Sequence, residues 1–197
     1  MATKCNLPTY IKLLNTLIHI ERTAVIKGET NLLPASKSIS NRALIINALA
    51  GNTSQLHNLS DANDTQLMLK LVSSHEQIID VEDAGTTMRF LTAYFSITNQ
   101  RKVMTGTSRM KERPIGILVD ALQLLGVAIR YLEKEGFPPH EIQGFTGQKA
   151  STVRIRGDVS SQYISALMMI APSLPEGLTL VLEGKIGSRP YIEMTAA

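Results

Sequence analysis

The residue types best suited to chemistry in this sequence cluster just ahead of apolar helical patterns. Lys37, Ser38 and Arg42 stand in "LLPASKSISNRALIINALAG" (residues 32–51), Gly85 and Thr86 in "DAGTTMRF", and Arg113 in "RMKERPIG". Ser160, Ser161 and Gln162 open "SSQYIS", and Ser188 and Arg189 open "SRPYI". A helix start needs one capping side chain, and these stretches hold several hydroxyls and cations besides. Helix N-termini present unpaired N–H groups and a partial positive charge, so they attract anions. Arginine adds a planar fork suited to carboxylate or phosphate, and lysine a compact charge. Gly85 lets the backbone approach a ligand closely. Hydrogen bonds to charged groups contribute roughly 1.5–3 kcal/mol each, so several together hold a small di- or tri-anion. Taken singly, each feature has a plainer reading: Ser38, Thr86 and Ser160 as caps, Arg42 and Arg89 as solvated helix arginines, Gly85 as relief for a tight turn. The same chemistry at corresponding places favours an anion cradle.

Other chemistries lack their residues. The sequence holds no G-x-x-x-x-G-K-[ST], G-x-S-x-G, H-E-x-x-H or C-x-x-C motif. His19, His57, His75 and His140 are scattered without ligand spacing, so no metal is expected. One cysteine, Cys5, forbids an internal disulfide and suits a reducing, cytoplasmic setting. The net charge of +3 and an aromatic content of 5% without Trp argue against nucleic-acid binding. No apolar run reaches membrane-spanning length, and residues 1–20 do not read as a signal peptide. A chain of 197 residues with 44% apolar content is long enough for one sizeable core, or for one domain plus part of another.

The elements that must position these residues alternate along the chain. Helices are predicted over 38–50, 61–74, 84–97, 113–126 and 160–174, with a further one opening at Ser188. In the first, Ile39, Ala43, Leu44, Ile46 and Leu49 mark the apolar face; in the fourth, Pro114 takes a first-turn position. Strands are predicted over 53–59, 76–81, 102–107, 127–133, 151–157 and 178–184, and the Pro- and Gly-rich "GFPPHEIQGFTG" reads as a connection. A weak repeat emerges: "SKSISNRALIINALA", "AGTTMRFLTAYFSI" and "SSQYISALMMIAPS" occupy one slot three times, each followed by a strand and a second helix. One supersecondary unit used repeatedly around a common core would aim several helix starts into one space.

Five ordered stretches resemble the 5-enolpyruvylshikimate-3-phosphate synthase family: "PASKSISNRALIINALAG", "DAGTTMRF", "RMKERPIGILVDAL", "GDVSSQYISALMMIAP" and "SRPYIEMT". The resemblance implies an α/β fold of repeated βαβαββ units in a pseudo-threefold arrangement, the enolpyruvyl transferase type. The family's chains are longer, so this sequence corresponds to an N-terminal half. Residues 1–33 would belong to a second, mostly absent domain. Residues 34–197 would form the shikimate-3-phosphate-binding domain, its third unit truncated. The activity implied is transfer of the enolpyruvyl group of phosphoenolpyruvate to the 5-hydroxyl of shikimate 3-phosphate, releasing phosphate, with no cofactor and no metal. The resemblance also implies a cytoplasmic enzyme, monomeric at full length, with no nucleic-acid or membrane partner.

Carried over by position, the resemblance implies that Lys37 touches both substrates and that Ser38 and Arg42 bind shikimate 3-phosphate. Gly85 would offer its backbone to phosphoenolpyruvate, and Arg113 would pair with that ligand's charge. Ser160 and Ser161 would hold the sugar-like substrate's phosphate, with Gln162 between the two ligands. Ser188 would add a phosphate contact, and Tyr191 would pack nearby. The family's acid and base groups lie in the half absent here, so the 197-residue chain alone is expected to bind shikimate 3-phosphate weakly and turn over little. The sequence departs from the family's common glycine motif at Asp83, Thr87 and Phe90, which implies altered sensitivity to glyphosate. The alternatives are the sister enolpyruvyl transferase acting on UDP-N-acetylglucosamine, disfavoured because the loop "SRMKERP" lacks a cysteine, and a non-catalytic anion-binding module.

Overall fold

The computed structural model describes residues 28–29 and 33–197. The chain divides between Pro34 and Ala35, and the architecture below is that of Ala35–Ala197. The expectation for residues 1–33 falls almost wholly outside the described residues.

Helix α1 (Lys37–Leu49) starts where Ser36 caps it, its Oγ accepting from the Ile39 amide at 3.3 Å. The buried side is not the apolar face that the spacing suggests. Ser40, Asn41, Arg42, Leu44 and Ile45 are buried, whereas Ile39 and Ile46 are 55% and 47% exposed. The reason is that α1 is tied by polar contacts: Ser40 Oγ accepts from the Ser60 amide, and the Arg42 guanidinium reaches other helices. Residues 53–59, predicted as a strand, form none. Asn52 and Asn58 have positive φ, and the two side chains that pack on the core, Leu56 and Leu59, are three residues apart rather than two. Helix α2 (Asn63–Val72) follows.

From residue 78 the chain runs as β1 (Ile78–Asp80), α3 (Gly85–Ile97), β2 (Lys102–Thr105), a single-turn α4 (Ser108–Lys111), α5 (Gly116–Leu125), β3 (Val127–Tyr131) and β4 (His140–Phe145). The four strands form one sheet in the order β1-β2-β4-β3. β1 and β2 are parallel, joined through α3, while β4 runs antiparallel to both β2 and β3. β4 lies inside the predicted connection. Only Ile142 and Phe145 are strongly apolar in "HEIQGF", yet His140 and Ile142 alternate inward and are fully buried. α5 starts two residues after Pro114, whose carbonyl accepts side-chain hydrogen bonds instead of opening the helix. α4 was not predicted; Thr107 caps it through the Met110 amide.

A second parallel pair follows: β5 (Thr152–Arg156) and β6 (Thr179–Glu183), joined through α6 (Ser161–Ile170) and a 3-10 turn at Ala171–Ser173. Their register runs from Thr152↔Thr179 to Arg156↔Glu183. Helix α7 (Arg189–Ala196) comes last and buries no residue. Both sheets therefore begin with the same parallel strand–helix–strand crossover. The linker between them is pinned to the end of α5. There Gly126 has a φ of 108°, its Cα lies against the Gly147 carbonyl too closely for any side chain, and the Lys149 amide donates to Leu125 O at 2.9 Å.

α3 is the axis of the core. Every residue from Gly85 to Ser96 is buried, and α1, α2, α5 and α6 all pack against it. A helix hidden on all sides must satisfy its hydroxyls internally. Thr92 Oγ1 donates to Met88 O at 2.7 Å and Ser96 Oγ to Thr92 O at 2.7 Å, each four residues back. Phe90, Leu91 and Phe95 supply much of the packing, with Met68, Met104 and Leu122 around them. No helix among the described residues is long and apolar enough to cross a membrane.

Candidate functional site

The carboxyl ends of parallel strands are where a crossover fold leaves room for ligands, because each chain leaves its strand there to start a helix. The residues singled out by type lie at such ends. Gly85 and Thr86 follow β1, and Arg113 follows β2 by way of α4. Ser160, Ser161 and Gln162 follow β5, and Ser188 and Arg189 follow β6. Lys37 and Ser38 open α1, which touches both α3 and α6.

Contacts join several of these ends directly. Gln162 Nε2 donates to Thr86 Oγ1 at 3.0 Å, which ties the start of α6 to that of α3. Thr107 donates its hydroxyl to the Asp83 carboxylate, and the Thr107 amide donates to Glu82 O at 3.2 Å, so the loops after β1 and β2 are joined. Arg113 Nη1 donates to Asp83 O at 3.2 Å, and the guanidinium lies flat against Gly85. A Cβ placed on Gly85 would stand 2.6 Å from Arg113 Cζ, so glycine is required for that approach. α3 carries no capping side chain, which leaves the amides of its first turn facing this guanidinium region without a cap.

On the other side, Lys37 Nζ lies 3.4 Å from Asp64 Oδ2, and the Asp64 carbonyl accepts from Thr87 Oγ1 at 3.0 Å. Two contacts thus lead from Lys37 to the first turn of α3. Half of the Lys37 side chain remains in solvent, with 46% exposure, so the ammonium is free to take a second anion. The loops leading to Ser160 and Ser188 are adjacent, the Gly187 amide donating to Gly157 O at 2.8 Å. Among the described residues no hydrogen bond joins Ser161 or Ser188 to the Gly85–Arg113 cluster. Ser160 acts as a cap, its Oγ accepting from the Gln162 amide.

Arg42 and Arg89 are not the solvated helix arginines that their positions suggest. Both are buried, at 5% and 4% exposure, and burial holds each guanidinium below the usual arginine range. Arg42 donates to Thr195 Oγ1 (2.7 Å), Ser38 O (2.9 Å), Ser165 Oγ (2.8 Å) and Tyr191 O (3.2 Å). It therefore gathers the starts of α1 and α7 onto α6. Arg89 donates to Gly85 O at 3.0 Å and Pro114 O at 2.8 Å. Sequence reasoning left out Arg89, Tyr163 and Asp64; the "MRF" following Gly85 gave one usable signal, a cation four residues on and thus on the same helix face. A groove of about 230 Å³ between α5 and β5, lined by Ile117, Leu124, Val153 and Val159, contains none of the site residues. Among the described residues no group of three His, Cys, Asp or Glu side chains lies close enough to hold a metal ion.

The family model for EPSP synthase (3-phosphoshikimate 1-carboxyvinyltransferase) matches residues 20–76 and 70–197. The chain belongs to the EPSP synthase family. A 3-phosphoshikimate 1-carboxyvinyltransferase of Bacteroides fragilis is 56% identical over 165 residues, which cover 83% of this chain and 40% of the relative. One from Vibrio cholerae is 43% identical over 197 aligned positions, 87% of this chain and 46% of the relative. Among solved structures, EPSP synthase from Acinetobacter baumannii superposes with a TM-score of 0.63 at 19% identity, covering 81% of this chain and 41% of that one. The chain spans less than half the length of these EPSP synthase relatives. The expected α/β fold of the family is thereby established.

Proposed function

We propose that this chain supplies the shikimate-3-phosphate-binding part of a 3-phosphoshikimate 1-carboxyvinyltransferase. The reaction joins the enolpyruvyl group of phosphoenolpyruvate to the 5-hydroxyl of shikimate 3-phosphate and releases inorganic phosphate. The observation that carries the reading is the Arg113 guanidinium lying against bare Gly85 at the uncapped start of α3, within a chain of this family. In this reading residues 34–197 are the substrate domain, with units arranged about a pseudo-threefold axis, and residues 1–33 belong to the second domain.

Phosphoenolpyruvate takes the Gly85–Arg113 end, where N–H dipoles and one planar cation meet its carboxylate and phosphate. Lys37 stands between the ligands, its ammonium screening two anions that repel each other. Ser38, Ser160, Ser161 and Ser188 take shikimate 3-phosphate through hydroxyls and amides, and Tyr191 packs beside it. Arg42 supports that side by holding Ser38 and Tyr191 together through their carbonyls. Gln162 sits between the two ligands from its place on Thr86.

The chemistry is addition followed by elimination. The methylene carbon of phosphoenolpyruvate gains a proton while the 5-hydroxyl, giving up its own proton, adds to the adjacent carbon. The new methyl group of the tetrahedral intermediate then loses a proton as phosphate leaves, which restores the double bond. Cations and amides fixed before the substrates arrive favour that intermediate over the separated ligands. Holding both substrates side by side removes the entropic cost of their encounter from the chemical step. The acid and base come from the part of the relatives this chain does not span. No cofactor is needed, the setting is the cytoplasm, and the full-length protein works as a monomer without membrane or nucleic-acid partners.

The test is phosphate release by the full-length protein supplied with both substrates, beside calorimetric titration of shikimate 3-phosphate. Release that depends on both substrates, and heat that vanishes in Arg42→Ala, support the reading. Release with UDP-N-acetylglucosamine as acceptor but not with shikimate 3-phosphate overturns it.

A further inference from the structure

We propose that Arg89 and Tyr163 are positioning residues that fix the Arg113 loop against the start of α3, and so set the affinity of the phosphoenolpyruvate end alone. The proposal rests on the reading of Gly85 and Arg113 given above. Neither residue reaches solvent enough to meet a ligand: Arg89 is 4% exposed and Tyr163 5%. Their polar atoms converge instead on one carbonyl. Pro114 O accepts from Arg89 Nη2 at 2.8 Å and from the Tyr163 hydroxyl at 2.6 Å. The other arm of the same guanidinium donates to Gly85 O at 3.0 Å. One rigid fork therefore spans the two halves of the candidate anion site, the glycine that must be bare and the residue that follows Arg113.

The remaining bonds of this loop show why that grip matters. The Arg113 amide donates to Met110 O at 3.0 Å, and the amides of Ile115 and Gly116 share Gly136 O at 2.8 and 3.1 Å. Between them stands Pro114, which has no N–H to contribute and a φ fixed by its ring. Its carbonyl is the one hydrogen-bonding group that the backbone of Pro114 itself offers, and it is held from two helices, α3 and α6. The Arg89 guanidinium also lies over the Tyr163 ring, 5.8 Å from the centroid, so the two donors lock each other's orientation. α6 thereby joins the α3 side of the site twice, through Tyr163 here and through Gln162 on Thr86. Among the described residues nothing comparable touches Ser188, which belongs to the other end.

Lysine at 89 keeps the charge but is a point donor that cannot span both carbonyls, and Phe at 163 keeps the ring and loses only the hydroxyl. In the full-length protein, Arg89→Lys is expected to raise the KM for phosphoenolpyruvate about tenfold or more, and Tyr163→Phe about threefold, with the KM for shikimate 3-phosphate unchanged in both. Amide exchange at Ile115 and Gly116 quickens in both variants, while that of α1 does not. A KM that shifts equally for both substrates, or unaltered exchange at Ile115 and Gly116 in the folded variants, overturns the proposal. A parent enzyme that releases no phosphate rejects the function proposed above, and the exchange measurement then decides the positioning role by itself.

Discussion

The start of α3 and the start of α7, the two ends of the proposed anion cradle, stand on very different supports. At α3, Gly85 is buried in the central helix of the core, and Arg113 reaches it from a loop gripped by Arg89, Tyr163, Met110 and Gly136. At α7, Ser188 has a φ of 48° and no residue of the helix is buried. What holds α7 is mainly the buried Arg42, through Tyr191 O and Thr195 Oγ1, with Ser165 touching Thr195 at 2.9 Å. One end of the cradle is built before a ligand arrives. The other rests mainly on one guanidinium, with Ser165 and a half-buried Ile192 beside it.

The sharpest way to break this contrast is Arg42→Met. It removes four hydrogen bonds, one of them to the buried Ser165 Oγ, and we expect a stability loss of about 2–4 kcal/mol, read from urea denaturation. Limited proteolysis then cuts within residues 189–196 first; equal protection of α7 in variant and parent contradicts the single-anchor account.

Acid attacks the other end. Thr92 gives its hydroxyl proton to Met88 O, so His140 Nε2 carries the hydrogen that it shares with Thr92 Oγ1 at 3.1 Å. His140 Nδ1 is buried without a hydrogen-bond partner among the described residues, and burial lowers the imidazole from 6.5 to about 4. Above pH 6.5 the ring is neutral in both folded and unfolded chains and contributes nothing. Below it the unfolded chain takes the proton first, so stability falls by about 1.4 kcal/mol per pH unit, up to about 3 kcal/mol near pH 4. His140→Gln flattens that slope; an unchanged slope assigns the acid sensitivity to other groups.

Gly85→Ala sharpens the comparison by sparing the fold. The new methyl meets the far end of the Arg113 side chain, which can swing aside, so stability changes by less than about 1 kcal/mol. Affinity for phosphoenolpyruvate is expected to drop about tenfold, because the cation leaves the uncapped amides. The smallest effect belongs to Arg189→Ala. Its pair with Glu193 at 2.7 Å is an exposed i,i+4 contact, worth about 0.3–0.5 kcal/mol and screened by salt.

Two helix starts were legible from their polar caps: α1 opens one residue from the predicted Ser38, behind Ser36, and α6 follows its Ser160 cap. α3 has no capping side chain and still opens one residue from the predicted Ala84. The strands were less so. β4 is hidden among prolines and glycines, and its inward residues include a histidine, which no apolar alternation flags. At 53–59 the only two apolar residues, Leu56 and Leu59, stand three apart, and the chain turns at Asn58 and pairs with nothing among the described residues. Within the site, residue types named Gly85, Arg113 and Gln162, which the structure does bring together. Arg89 was passed over, and Arg42 was named for its charge alone, because burial of a charge depends on partners far away in sequence: Arg42 finds Ser165 and Thr195, and Arg89 finds Pro114.

The seam at Gly126 bears on motion. With Gly147 stacked on the end of α5 and Lys149 bonded to Leu125, the linker from the first sheet to the second has no slack to flex. Any movement of one sheet against the other must therefore first break the bond from Lys149 to Leu125.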